Sequence, residues 1–172
     1  MFSVTSNSGK RAAALAIGSI FASAMMLTST QALAEWALDS DASQLSFVSV
    51  KAGQAVEAHH FKKLAGGVDD AGIVNVEIDL SSVETKIDIR NTRMMEMLFE
   101  VVKFPAATVS AAVPKEALDG LGAGERRRQK VTFDLSMRGV SKKMEAEVMI
   151  TGAGDTAITV ATTEPIVLSA EW

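Results

Sequence analysis

Ile73-Val74-Asn75-Val76-Glu77-Ile78-Asp79-Leu80 alternates without interruption. Val74, Val76, Ile78 and Leu80 share one face of an extended chain, while Asn75, Glu77 and Asp79 share the other. Period two with polar residues opposite apolar ones marks a half-buried strand. The same rhythm recurs on either side, in Leu45 to Val50, Ala107 to Val113, Val131 to Met137 and Met144 to Ile150. Thr156 to Thr163 adds a strand of small and β-branched residues. Short turns separate these runs: Asp69-Asp70-Ala71-Gly72, Arg138-Gly139-Val140-Ser141 and Thr151-Gly152-Ala153-Gly154-Asp155. Many short amphipathic strands joined by hairpins predict an all-β fold, an antiparallel barrel or sandwich.

One segment departs from the alternation. In Asn91-Thr92-Arg93-Met94-Met95-Glu96-Met97-Leu98-Phe99-Glu100, the residues Met94, Leu98 and Val101 fall at helical spacing, as do Met95 and Phe99. Asn91 or Thr92 is the expected cap. Lys103-Phe104-Pro105 is the expected end, because proline holds the residue before it extended. The sequence therefore predicts one short apolar helix, placed across an open end of the barrel. A second helical turn is expected at Pro114-Lys115-Glu116-Ala117-Leu118, followed by the glycine loop 120–124.

The N-terminus has a different character. Two positive charges, Lys10-Arg11, precede an apolar run from Ala12 to Leu27, and Ala32-Leu33-Ala34 offers small residues at a cleavage site. This order predicts a signal peptide over 1–34, cut before Glu35; an uncleaved N-terminal tether is the alternative. The run is shorter than the ~20 residues of a membrane-spanning helix. Export to a bacterial periplasm follows, and 35–172 forms one domain. Lys10 and Arg11 are the only charges in the leader, so the 17 cationic residues fall to 15 in the domain against 21 acidic ones, a net charge of −6. A domain so charged has no overall electrostatic claim on nucleic acid or anionic lipid headgroups. There is no cysteine, so neither a disulfide framework nor an acylated N-terminal cysteine is available.

Candidate chemistry is sparse. His59 and His60 are neighbours on a strand, so their rings point to opposite faces and cannot share an ion without distortion. No third histidine exists, and no metal site is expected. A histidine beside a cavity can donate to a ligand head group, but a satisfied strand histidine is the simpler reading of His59. Glu125-Arg126-Arg127-Arg128-Gln129-Lys130 reads as a solvated loop. No Gly-x-Ser-x-Gly, phosphate loop or dinucleotide glycine motif occurs, and an enzyme is not expected. What remains is the apolar inner surface, to which the stripes contribute Phe47, Phe61, Val76, Ile78, Leu80, Phe133, Leu135 and Met137, and the helix Met94, Met95, Leu98 and Phe99. An eight-stranded barrel is either filled by such side chains or holds one small ligand. Methionine suits a wall that adapts to a flexible chain.

Several stretches, in order, resemble the YceI-like family. Trp36-Ala37-Leu38-Asp39 with Ser43-Gln44-Leu45-Ser46-Phe47 is similar to its opening, and Phe61-Lys62-Lys63-Leu64-Ala65-Gly66-Gly67-Val68 to its next motif. Val76 to Thr85 resembles its most specific stretch, continuing through Arg90, Leu98-Phe99 and Phe104-Pro105-Ala106. Val131 to Lys142 is similar to its later strand-turn-strand. The resemblance implies an extended lipocalin-like barrel with a long apolar tunnel, in exported proteins that bind polyisoprenoid chains, isoprenoid quinones or fatty amides. Some members are joined to or encoded with membrane b-type cytochromes, which implies such a cytochrome or a lipid-delivery protein as partner. The tunnel lining would carry over onto Phe47, Phe61, Ile78, Leu80, Met94, Leu98, Phe99, Phe133 and Leu135, with His59, Arg90 or Arg93 at a head group. Ile166 to Trp172 resembles the point where members enter a further helical segment and a closing strand. Either the sequence is shortened there or the barrel lacks its last strand, and an unpaired edge invites a homodimer.

The expectation is a periplasmic carrier for a long apolar ligand, with no cofactor beyond a bound isoprenoid or lipid and no role for nucleic acid. Two alternatives stand beside it: a stress-related structural or interaction protein with a filled barrel, and an isoprenoid- or lipid-modifying enzyme.

Overall fold

Alternation becomes antiparallel sheet wherever a neighbour matches it. The computed structural model describes residues 2–6, 36–51, 55–154 and 156–168. The strands in chain order are β1 (Phe2–Ser6), β2 (Trp36–Leu38), β3 (Leu45–Lys51), β4 (Ala55–Phe61), β5 (Leu64–Val68), β6 (Ile73–Asp79), β7 (Val83–Glu84), β8 (Ala106–Ala112), β9 (Arg126–Met137), β10 (Val140–Gly152) and β11 (Ala157–Thr162). Eight of them close a barrel in the order β1-β11-β10-β9-β8-β6-β5-β2, and β3-β4-β7 form a small sheet against it. Of the barrel and sandwich that the alternation allows, the antiparallel barrel, which the resemblance also implies, is the fold. Closure depends on β1, which pairs with β11 on one side (Val4 opposite Ile158) and with β2 on the other (Val4 opposite Leu38). The seven barrel strands drawn from residues 36–162 leave a gap between β2 and β11, and β1 lies in it. The leader's apolar run and cleavage site lie outside the described residues.

Local chemistry explains the joints. Between β9 and β10, Met137 faces Val140, so Arg138-Gly139 is a two-residue hairpin. Both have positive φ, 52° and 75°, the backbone whose twist matches that of the flanking strands. Within β5, Gly66 has φ 139°, and a Cβ there would lie 2.0 Å from the Asn75 carbonyl oxygen of β6. Only glycine lets the two strands approach so closely.

Two sequence-based expectations need correction. The run Arg126–Lys130 is not a solvated loop but the first half of β9. Arg128 and Lys130 lie on its wet face, paired with Glu147 (3.1 Å) and Glu145 (2.6 Å) of β10. Their alternation is masked in the sequence because charges occupy both faces.

The helix also starts earlier than expected. α1 spans Asp88–Arg93 and runs into a π-helical segment, Met94–Leu98. Asn91 is no cap: its Oδ1 accepts from the Thr85 N–H (2.8 Å) and Oγ1 (2.6 Å), tying the helix to the strand-loop before it. The Phe99 N–H donates to the Met94 carbonyl at 2.8 Å, an i→i+5 bond. That wider turn brings Phe99 beneath Met94, and Leu98 rotates out of the stripe that α-helical spacing predicts. The segment ends not at Lys103 but at Leu98, just before Glu100, whose φ is 52° and whose carboxylate pairs with Arg138 of the β9–β10 hairpin.

Candidate functional site

Three apolar groups divide the interior. At one end, Phe61, Leu64, Ile78, Leu80, Val83, Phe99 and Ala107 are buried, with Phe47, Met94, Met95 and Val101 packed against them. The helix caps this end. The rings of Phe47 and Phe61 stack at 5.2 Å, and Phe61 meets Phe99 at 5.7 Å. At the other end, Trp36, Val68, Leu118, Leu121, Ile150 and Ile158 form a second buried group beneath the 3-10 turn Lys115–Ala117. Between them, Ala111, Phe133 and Leu135 are buried on neighbouring strands β8 and β9.

The middle of the barrel differs from both ends. Val76 of β6 faces Val109 of β8, Val131 of β9 faces Ala146 of β10, and Ile150 of β10 faces Val160 of β11. These registers put Val74, Val76, Val109, Val131, Met144, Ala146, Val148 and Val160 on one inward surface. Each is only half-buried, while their outward neighbours Asn75, Glu77, Thr108, Thr132, Glu145 and Glu147 are exposed. Val74, Val131, Val148 and Val160 pack against the far buried group, and Val74, Val109, Val131, Met144 and Ala146 against the middle one, so a continuous apolar surface runs along the inside of the barrel. Along β9 the ten steps from Arg127 to Met137 span roughly 34 Å at ~3.4 Å per residue.

The sequence-derived candidates separate into places. Phe61, Ile78, Leu80 and Phe99 are buried in the helix-capped end, where Phe47 and Met94 pack against them. Phe133 and Leu135 lie in the middle group. Leu98 is turned outward and 45% exposed. His59 is buried, its ring 5.2 Å from that of Phe47. His60 takes the opposite face and is half-buried. Arg90 stands at the rim, where its guanidinium pairs with Glu57 of β4 at 2.7 Å, and Arg93 is exposed. Among the described residues no group of three or more His, Asp or Glu converges where a metal ion could sit.

Charge around the rim is organised by Glu84 of β7. It accepts from Lys62 Nζ at 2.5 Å, from the Lys86 backbone N–H at 2.6 Å and from Asn91 Nδ2 at 3.3 Å. The Lys62 bond, with the other two behind it, lowers its pKa to about 2. This one carboxylate links the small sheet to the start of α1.

Sequence reasoning missed the polar part of the inner surface. Arg127 and Gln129 share strand parity with Val131 and Phe133 and are half-buried. Arg127 donates to the carbonyl oxygens of Glu116 and Asp119, fastening the 3-10 turn over the far end. Counting parity backwards from Phe133 would have found both. The buried far end, with Trp36, Leu118 and Leu121, carried no such signal because its residues come from strand tips and loops.

Known proteins agree with this geometry. Residues 36–170 match the model of the YceI-like domain. A polyisoprenoid binding domain from Saccharophagus degradans, implicated in plant cell wall breakdown, is 37% identical, with a TM-score of 0.75 over 78% of this chain and 77% of that one. BcnA of Burkholderia cenocepacia is 20% identical, with a TM-score of 0.53 over 67% of this chain and 72% of that one, and shares the fold. No curated protein matches. With the family model spanning β2 through β11 and the barrel closing around an apolar inner face, the chain belongs to the YceI-like family.

Proposed function

We propose that this protein is an exported, periplasmic carrier that holds one long apolar chain, a polyisoprenoid, an isoprenoid quinone or a fatty amide, along the barrel axis. The observation that carries the reading is the continuous apolar inward surface of Val76, Val109, Val131, Met144, Ala146, Val148 and Val160, none of which is fully buried. The relative at 37% identity, a polyisoprenoid binding domain, supports the ligand class. Burial is the mechanism. Each methylene removed from water contributes ~0.8 kcal/mol, so a chain of fifteen or so carbons binds tightly without any special group. His59 and the Arg90–Glu57 pair stand at the helix-capped end, where a polar head group would meet them. In this reading the leader 1–34 directs export and is cut before Glu35, leaving β2 and β11 as the two lips of a lateral seam.

The test is direct. Protein recovered from its native periplasm is extracted with organic solvent, and the extract is identified by mass spectrometry. A stoichiometric long-chain isoprenoid or lipid is expected; a protein that yields none while remaining folded overturns the carrier reading.

A further inference from the structure

The segment that caps the tunnel is apolar on both sides. Met94, Met95, Phe99 and Val101 face the buried end group. On the other side Val102 is 100% exposed, Met97 75%, Ile89 60%, Leu98 45% and Ile87 43%. Half of the large exposed apolar residues of the described chain thus fall on sixteen consecutive positions, 87–102. An exposed apolar cluster of this kind marks a contact surface.

Charge selects among possible contacts. Segment 86–103 carries Lys86, Arg90, Arg93 and Lys103 against Asp88, Glu96 and Glu100, a net charge of +1 in a chain of net −4. The remainder is therefore net −5. Arg90 and Glu100 pair with Glu57 and Arg138, whereas Lys86, Arg93 and Lys103 are exposed along the segment with Asp88 and Glu96, so its exposed charge is also +1. An anionic sheet draws this end in and pushes the rest of the molecule away. The sequence-level exclusion of anionic lipid, which rests on net charge alone, does not extend to this local surface.

We propose that residues 87–102 are a bilayer-docking surface, by which the helix-capped end of the barrel seats on an anionic lipid membrane. Ile89, Leu98, Met97 and Val102 enter the boundary between headgroups and acyl chains while Lys86, Arg93 and Lys103 meet phosphates. This deepens the carrier reading and rests on it. A long apolar chain has almost no free concentration in water, so its carrier must meet a bilayer at the end where the chain enters. The proposed contact is peripheral and reversible.

The test uses protein recovered from the periplasm and vesicles of phosphatidylethanolamine and phosphatidylglycerol at 3:1, with phosphatidylcholine vesicles as the neutral comparison. Flotation is expected with the anionic vesicles and to weaken with salt. A Met97→Ser/Val102→Ser protein is expected to lose at least about tenfold in vesicle affinity, and Lys103→Glu roughly tenfold on the anionic vesicles alone. Both changes lie on exposed side chains, so an unaltered thermal unfolding curve and an unaltered solvent extract are expected alongside. Equal flotation of wild type and both variants overturns the proposal, as does a concentration-dependent dimer that the double variant abolishes without any vesicle binding. Failure of the carrier reading registers separately, as an empty solvent extract.

Discussion

Glu84 shows how much of the rim rests on single side chains. Its carboxylate, held at about 2 by Lys62, the Lys86 backbone N–H and Asn91, sits below the ordinary carboxylate value it regains on unfolding. A depressed carboxylate stabilises the fold fully above its unfolded pKa, and that contribution is lost as pH falls through the folded one. The window therefore runs from about 4.5 down to about 2. Urea midpoints followed from pH 7 to pH 2.5 are expected to separate wild type from Glu84→Gln at neutral pH and to converge towards the acid end; parallel curves would refute the role. At this scale the sequence was legible where strand parity applied. His59 and His60 take opposite faces as alternation requires. Arg127 escaped because the charged run before Val131 reads as a loop, so parity is not counted back through it from Phe133.

At the scale of elements, the strands were legible and the helix was only half so. Period two survives in β6, β8 and β10 because each packs one face on the interior and wets the other. The short helix lies at the barrel end as expected, but α-helical spacing puts Leu98 on its inner stripe, whereas the segment takes a π turn that leaves it exposed. An i→i+5 bond such as that from Phe99 to Met94 gives no distinct mark in composition. The element with the largest consequence is β1, which joins β11 to β2. A chain starting at Glu35 leaves β2 paired only with β5 and β11 only with β10, two open edges facing one another. Hydrogen exchange read by mass spectrometry is expected to be much faster over 157–163 in that chain than in one retaining residues 1–34, with 131–137 unchanged, since each lost ladder bond removes about 1 kcal/mol of local protection. Identical exchange over 157–163 would show that β1 does not hold the seam.

For the whole molecule, the issue is whether the barrel is lined or filled. Ala146 of β10 lies on the inward surface opposite Val131 and is half-buried, so Ala146→Phe discriminates. In a lined barrel the ring takes the ligand's space: loading is lost and the thermal midpoint is held. In a filled one the extra volume forces its neighbours apart at a cost of about 1–3 kcal/mol, and the midpoint drops by several degrees. Loss of ligand with an unchanged midpoint is the expected result.

The sequence by itself determined which side chains point in and which point out, because strand parity is a property of adjacent residues and needs no partner. It also determined the class of fold and, through ordered resemblance from Trp36 to Lys142, the family. Only the tertiary structure decided that β1 occupies the gap between β2 and β11, that the apolar inward face is half-buried along its middle, and that the segment over the barrel end exposes Met97 and Val102. Each of these depends on strands brought together from distant parts of the chain, and burial is set by that closure rather than by any local pattern.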